Sequence, residues 1–525
     1  MTTSLEAKIG QMVMVGFLGL EPPAYLLEWL ADGRIGGVLL FGRNVASPAQ
    51  LAALTEACHR AASGPLLIGI DQEGGVVARL REDLGFTESP GAMALGAAGS
   101  PALAEEVSAA LGAELRALGI NWNLAPVLDL TVDINNPSVG TRSPGADPHQ
   151  VATLAAAQVR GLQRAGVAAT AKHFPGIGRT PVDSHLALPI IEEQPDSLRE
   201  RDFVPYRAVA QAGVASVMVG HVQFTAIDPH HPATLSPQVI RDLLRREIGF
   251  QGMVCTDCME MRAVSDHYGP GESAVLAALA GADAILFSHS FFETEEPHRE
   301  AYEALLAAAR AGRLPPDHID AAVGRIRRVK ERFAITGPPA PEQVRQPVRL
   351  ALMEQAARAG TVLLRAEPEA FPLRSTAGER VALVEFASYR DSEAMDQGGS
   401  TTLAALLGRQ APQVETASLK AVAPSPGSLA RARELAAGAD VLVLATRNAH
   451  LNDAELAVAR ELLALGRRTI LLCLKNPYDA ELLPGAGTAL CTCGDSMPSL
   501  RAAVDALLGR FAPAGSLPVP LRMTK

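Results

Sequence analysis

The sequence predicts an α/β protein of two unequal domains. An N-terminal (β/α)8 barrel occupies residues 1–338, a linker and connecting helix 339–360, and a smaller doubly wound α/β domain 361–525. Three observations lead there. At 525 residues the chain is longer than one core ordinarily organises. Before residue 340, eight short apolar runs alternate with helical patterns, and after the Pro-rich segment Thr336–Pro347 a second such rhythm begins.

The eight runs are Gln11–Phe17, Gly36–Phe41, Leu66–Asp71, Asn121–Val127, Val167–His173, Val214–Gly220, Gly252–Asp257 and Ala282–Phe287. Most lack polar alternation, so their strands are covered on both faces, as parallel strands are. The fourth run is more polar than the others, and the loop after the fifth is long. Ala-rich amphipathic stretches lie between several of them: Pro48–Ala62, Ala102–Leu118, His149–Ala165, Pro237–Ile248 and Gly271–Ala280. Pro315–Ile335 reads as a closing helix with a strongly basic outer face. Beyond the linker, a helix over Leu350–Ala359 leads into apolar runs at Thr361–Arg365, Val381–Phe386, Val441–Ala445, Thr469–Leu474 and Thr488–Cys493. Helices at Ser428–Ala437 and Asp453–Leu465 alternate with them. No G-x-G-x-x-G follows a strand there. Asp396-Gln-Gly-Gly-Ser-Thr-Thr is only a turn-like glycine pair opening a helix, which argues against nucleotide binding.

Bulk properties narrow the partners. A net charge of -10 disfavours a nucleic-acid groove or an anionic membrane surface and favours a small or neutral ligand. No apolar run approaches the roughly 20 residues of a membrane span, and the first residues lack the basic-then-apolar order of a signal peptide. A cytoplasmic location, as monomer or homodimer, is therefore expected. Cys255-x-x-Cys258 and Cys491-x-Cys493 invite a metal or redox reading, but the pairs fall in different domains and Cys255 ends an apolar run. Buried thiols are the expectation, with no metal and no cofactor.

The chemistry is concentrated where the runs end. Asp71, Asp129, His173, His221 and Asp257 each lie at or just beyond the carboxyl end of a predicted strand, the face on which a barrel builds its active site. The densest stretch is Lys172-His-Phe-Pro-Gly-Ile-Gly-Arg-Thr-Pro-Val-Asp183-Ser-His185, a cation and an imidazole followed by a Pro/Gly loop that carries a second carboxylate–imidazole pair.

In order along the chain stand Ile70-Asp71-Gln72-Glu73-Gly74-Gly75 with Arg79, Asn123 to Asp129 (NLAPVLD), Val139-Gly-Thr-Arg142-Ser143 and Lys172-His173-Phe-Pro-Gly. Asp183-Ser-His185, Val219-Gly-His221, Pro232 to Ser236 (PATLS) and Thr256-Asp257-x-x-x-Met261 follow. Over residues 5–365 this series resembles family 3 glycoside hydrolases, specifically their β-N-acetylglucosaminidase (NagZ-type) branch. The resemblance implies a retaining exo-β-N-acetylhexosaminidase whose nucleophile is Asp257, whose general acid/base is His185, and whose Asp183 orients that imidazole. It assigns Asp71, Arg79, Arg142, Lys172 and His173 to sugar binding. His221 joins that set or a supporting one, and Asp129 is undecided between supporting and structural roles. The implied substrates are saccharides ending in N-acetylglucosamine, such as muropeptide fragments met in peptidoglycan recycling. A β-glucosidase or a phosphorylase on the same barrel is the rival reading, and a non-catalytic sugar-binding protein the rival of another class. Three positions depart from the pattern: Ile177 replaces a histidine, Cys258 stands where an aspartate is common, and Pro144 replaces an aromatic residue. The role of the second domain is open; in it Asp396, Asp453 and Glu455 read as caps or surface charges.

Overall fold

The computed structural model describes residues 4–288, 296–368, 370–373, 379–392, 395 and 402–521. The eight predicted runs become β1 (Val13–Gly16), β2 (Gly37–Leu40), β3 (Leu67–Ile70), β4 (Trp122–Asn123), β5 (Ala168–Phe174), β6 (Ser216–Val219), β7 (Met253–Cys258) and β8 (Ala284–Phe287). They close a barrel in sequence order, every neighbouring pair parallel. Apart from Asp257 and Cys258 at the end of β7, every residue of these strands is buried, which explains why the runs show no polar alternation.

The fourth strand is shorter than its run because Pro126 has no N–H to give to the ladder. The Pro126 carbonyl still accepts the Lys172 amide at 3.1 Å, and the Leu128 amide donates to the Lys172 carbonyl at 2.7 Å, so bonding to β5 continues without a regular ladder. The helices outside begin where the sequence caps them. Ser47, Ser100 and Asp147 each precede a proline at the first helical position, and their side-chain oxygens accept amides of the first turn.

The closing helix Pro316–Arg332 departs from the predicted basic outer face at one position: Lys330 turns inward and is buried. Its Nζ donates to Gln11 Oε1 at 2.5 Å, a neutral partner, and burial pulls its pKa down to about 7.

After the helix Pro347–Ala359 the second domain forms one sheet from β9 (Val362–Arg365), β10 (Val381–Phe386), β11 (Glu415–Leu419), β12 (Val441–Thr446), β13 (Arg468–Cys473) and β14 (Thr488–Cys491). The strand order is β9-β14-β13-β12-β10-β11, parallel except for β9 on the edge. The expected glycine-pair turn at Asp396 lies outside the described residues, apart from its last residue, Thr402, which caps the helix Leu403–Gln410. Glu455 corrects its expectation: it is buried, and its Oε1 accepts the Arg447 amide at 2.7 Å.

The carboxyl edge of this sheet faces the barrel's carboxyl rim. Beyond β14, Gly494 comes so close to the Pro90 carbonyl that a Cβ would stand 2.7 Å from it, and the Met497 amide donates to Glu88 at 2.9 Å. Arg501 grips Glu82 through two nitrogens, and near the C-terminus the Pro518 carbonyl accepts the Ala146 amide.

Lys330→Met should raise the thermal midpoint by a few degrees near pH 7. A buried ammonium opposes folding fully below its lowered folded-state pKa, and that penalty fades as pH climbs toward the unfolded value near 10.4. The gain measured by thermal unfolding should therefore shrink between about pH 7 and pH 10.

Candidate active site

The carboxyl ends of the barrel strands enclose a cavity of about 360 Å³, within the range of small-molecule sites. Asp71 and Glu73 reach it from the end of β3, Lys172 and His173 from β5, Asp257 from β7, and Arg142 from the turn Gly140–Arg142. His185 lines it from the long loop after β5.

One wall is a closed ion network. Lys172 Nζ lies 2.6 Å from both Asp71 Oδ1 and Glu73 Oε1, and Arg142 holds Glu73 through two bonds of 2.9 Å. Arg79 reaches the other oxygen of Asp71 at 3.3 Å. It follows a short hairpin (Gln72–Gly74 with Val77–Ala78). Burial alone would push the Glu73 carboxyl up, but Arg142 and Lys172 outweigh it and hold the group at about 2. Asp71 is depressed in the same way by Lys172 and Arg79. Both carboxylates are therefore acceptors at neutral pH, suited to sugar hydroxyls. Glu73 lies within the Asp71-Gln72-Glu73 motif, but nothing local in the sequence marks it as a site residue.

Asp129 organises the next wall. Its Oδ2 accepts from the His173 ring Nδ1 at 2.7 Å and the His173 amide at 3.2 Å, while Oδ1 accepts the Ile177 amide at 2.9 Å. A carboxylate partner makes Nδ1 the protonated nitrogen, which turns Nε2 toward Arg142 at 3.5 Å and Asp257 at 4.0 Å. Glycine is required on both sides of this arrangement. A Cβ at Gly178 would stand 1.8 Å from the Leu130 carbonyl, and one at Gly220 would stand 2.9 Å from the His173 Cβ.

Asp257 sits at the end of a paired strand, with Oδ1 accepting the Cys258 amide at 2.7 Å. Burial raises its proton affinity, but the imidazoles of His173, His221 and His185, together with that amide, more than reverse the effect. It is thus an ionised, rigidly placed carboxylate. On the far loop, His185 Nδ1 meets Asp183 Oδ1 at 2.7 Å, and Asp183 Oδ2 accepts from Ser392 of the second domain at 2.6 Å. These bonds, with the His185 amide, overcome burial and hold Asp183 ionised.

Of the predicted residues, Asp183 and His221 do not line the cavity; Asp183 stands behind His185, and His221 is turned away. Its ring is buried, with Nδ1 on the Thr234 hydroxyl at 2.8 Å and Nε2 on the Cys258 carbonyl at 2.8 Å. Both nitrogens are committed to the protein, so it supports the backbone behind Asp257. The Ile177 side chain is buried beside Gly220. Cys258 faces Ser288 and Glu260, and Pro144 lies against Gly96. Two lining residues of the second domain, Arg390 and Met395, had no sequence signal beyond following a strand's carboxyl end.

The description "Glycosyl hydrolase family 3 N terminal domain" fits residues 4–329. The chain belongs to glycosyl hydrolase family 3. It is similar to β-hexosaminidase A of Pseudoalteromonas piscicida, 35% identical over 333 residues; the match takes in 59% of this chain and 56% of that protein, little more than half its length. A β-hexosaminidase of Stenotrophomonas maltophilia (strain R551-3) is 40% identical over 310 residues, 58% of this chain and 91% of its own length. A solved family 3 β-N-acetylglucosaminidase from Paenibacillus sp. str. FPU-7 matches over 100% of both chains, with a TM-score of 0.92 and 38% identity. A member of this family is a glycoside hydrolase, and the cavity supplies what glycoside hydrolysis asks for: an ionised carboxylate on a rigid strand, an oriented imidazole and fixed polar groups for hydroxyls.

Glu73→Gln should cost about 3–5 kcal/mol at pH 7, because it leaves Lys172 and Arg142 short of a buried counter-charge. A carboxyl with a depressed folded-state pKa stabilises fully above its unfolded value and loses that contribution as pH falls toward the folded one. Urea unfolding should therefore show the difference from wild type narrowing between about pH 4.5 and pH 2.

Proposed function

We propose that the protein is a retaining exo-β-N-acetylhexosaminidase that releases terminal β-linked N-acetylglucosamine through a covalent glycosyl–Asp257 intermediate. The observation that carries the reading is the pairing of Asp183 with His185 at 2.7 Å in a loop whose imidazole lines the same cavity as Asp257. In the first step an Asp257 carboxylate oxygen attacks the anomeric carbon, while His185 protonates the departing glycosidic oxygen. In the second, His185 takes a proton from water, the water oxygen attacks the anomeric carbon, and Asp257 is released as carboxylate. Asp183 holds the ring tautomer and stabilises the imidazolium that forms in between. Asp71, Glu73, Arg79, Arg142, Lys172 and His173 are assigned to gripping the sugar, with Asp129 and His221 supporting them.

The β-hexosaminidase names of the curated relatives and the full-length likeness to the β-N-acetylglucosaminidase support this sugar preference. The proposed physiological substrates are GlcNAc-terminated cell-wall fragments in peptidoglycan recycling, and the proposed compartment is the cytoplasm. All six cysteines are unpaired thiols, which suits a reducing compartment. Among the described residues no helix is long and apolar enough to cross a membrane.

Nitrophenyl glycosides of N-acetylglucosamine, glucose and xylose test the specificity, with N-acetylglucosamine expected to give the highest kcat/KM. Equal or better turnover of the glucoside would replace the reading with β-glucosidase. Release that requires phosphate would replace it with phosphorolysis. Asp257→Ala should abolish turnover without lowering the thermal midpoint, and near-wild-type activity in that variant would refute the mechanism. His185→Ala should slow a substrate with a good leaving group mainly at deglycosylation, seen as a burst of nitrophenol followed by a slow steady state.

A further inference from the structure

The second domain does more than adjoin the barrel. Where β10 ends at Phe386, the chain runs along the sheet's carboxyl edge and is fastened there at successive residues. Ser388 Oγ bonds Asp495 at 2.8 Å, and Asp495 in turn holds Arg447 at 3.1 Å. Lys475 Nζ donates to the Tyr389 carbonyl at 2.9 Å and to Asp391 at 2.7 Å, and Asn448 donates to the same Asp391 oxygen at 2.9 Å. Lys475 and Asp391 are each only 2% exposed, so this pair lies out of solvent, where charge-assisted bonds are strong. The segment so anchored ends on Ser392, itself buried, whose hydroxyl donates to Asp183 Oδ2 at 2.6 Å.

That bond falls on the one oxygen of Asp183 not already occupied by His185, whose ring and amide both use Oδ1, at 2.7 and 3.0 Å. The barrel loop carrying Asp183 runs through Pro175, Gly176, Gly178 and Pro181 and has little regular structure of its own to fix a side chain. A rigid donor from outside the loop therefore decides how the carboxylate is turned. We propose that Ser392 is a positioning residue for the proton-transfer pair: the second domain supplies a hydroxyl that pins Asp183 so that its other oxygen faces the His185 ring. This rests on the assignment of His185 as general acid/base. It makes protonation of the leaving group depend on the docking of a second domain.

Kinetics of the full-length protein test it. Ser392→Ala, Ser392→Thr, His185→Ala and wild type are compared on two substrates: 4-nitrophenyl N-acetylglucosaminide, whose leaving group departs with little help, and the β-1,4 disaccharide of N-acetylglucosamine, whose leaving alcohol needs a proton. Ser392→Ala should lower kcat on the disaccharide roughly tenfold or more, a share of the about 10²–10⁴-fold that a positioned acid contributes, with KM little changed. The loss in the bond-breaking step for the nitrophenyl substrate, followed as the nitrophenol burst rate, should be much smaller. Ser392→Thr keeps the hydroxyl and should restore the ratio of the two rates, with all variants sharing the wild-type thermal midpoint within a few degrees. A Ser392→Ala ratio within twofold of wild type, or a loss of equal size on both substrates, overturns the inference. His185→Ala is the separate control. If it too shows no dependence on the leaving group, the acid/base assignment fails; if it does and Ser392→Ala does not, only the role of Ser392 fails.

Discussion

Much of the site's geometry depends on one buried carboxylate, Asp129. By accepting from the His173 ring, the His173 amide and the Ile177 amide, it ties the end of β5 to the start of the loop that carries Asp183 and His185. A buried carboxyl group so placed has one stable arrangement, because each donor lost would leave a buried acceptor without a partner. The glycines follow from it. Gly178 passes against the Leu130 carbonyl and Gly220 under the His173 Cβ, where any side chain would displace the backbone that Asp129 gathers. Ile177 fits this scheme through its amide, while its side chain fills space beside Gly220.

Around that anchor the charges fall into two groups with different consequences. Asp71, Glu73, Lys172, Arg142 and Arg79 neutralise one another within hydrogen-bond reach, so the wall is polar, rigid and already ionised before a ligand arrives. Among the described residues, no lysine or arginine is bonded to Asp257. It keeps its charge through nearby imidazoles at longer range and one amide, which leaves a carboxylate oxygen able to form a new bond. An arginine or lysine in contact would hold Asp257 ionised more firmly and make it a poorer nucleophile.

The second domain reverses the usual use of a doubly wound sheet. The carboxyl edge of such a sheet commonly receives a ligand of its own. Here Lys475, Asp391, Asn448, Arg447 and Asp495 fill that edge with bonds to one another, and it delivers Arg390 and Met395 to the barrel's cavity and Ser392 to Asp183. Two fold-level rules, for barrels and for open sheets, both direct chemistry to carboxyl ends, and the chain stacks the two ends face to face.

Much of this was legible in the sequence. Eight apolar runs without alternation specify parallel strands covered on both faces, and a barrel is the closed way to satisfy all of them at once. Asp71, His173 and Asp257 could be singled out because each ends such a run. Other features were hidden. Helical periodicity placed Lys330 among surface cations, although it points inward. His221 ends a strand just as His173 does, yet Thr234 and the Cys258 carbonyl use both its nitrogens and keep it from the cavity. Position along a strand fixes where a side chain starts, but its partners come from other strands and loops. The contact between Ser392 and Asp183 is the clearest case: local spacing carries no information about a hydrogen bond whose two ends lie in different domains, and only the docking of one carboxyl edge on the other brings them together.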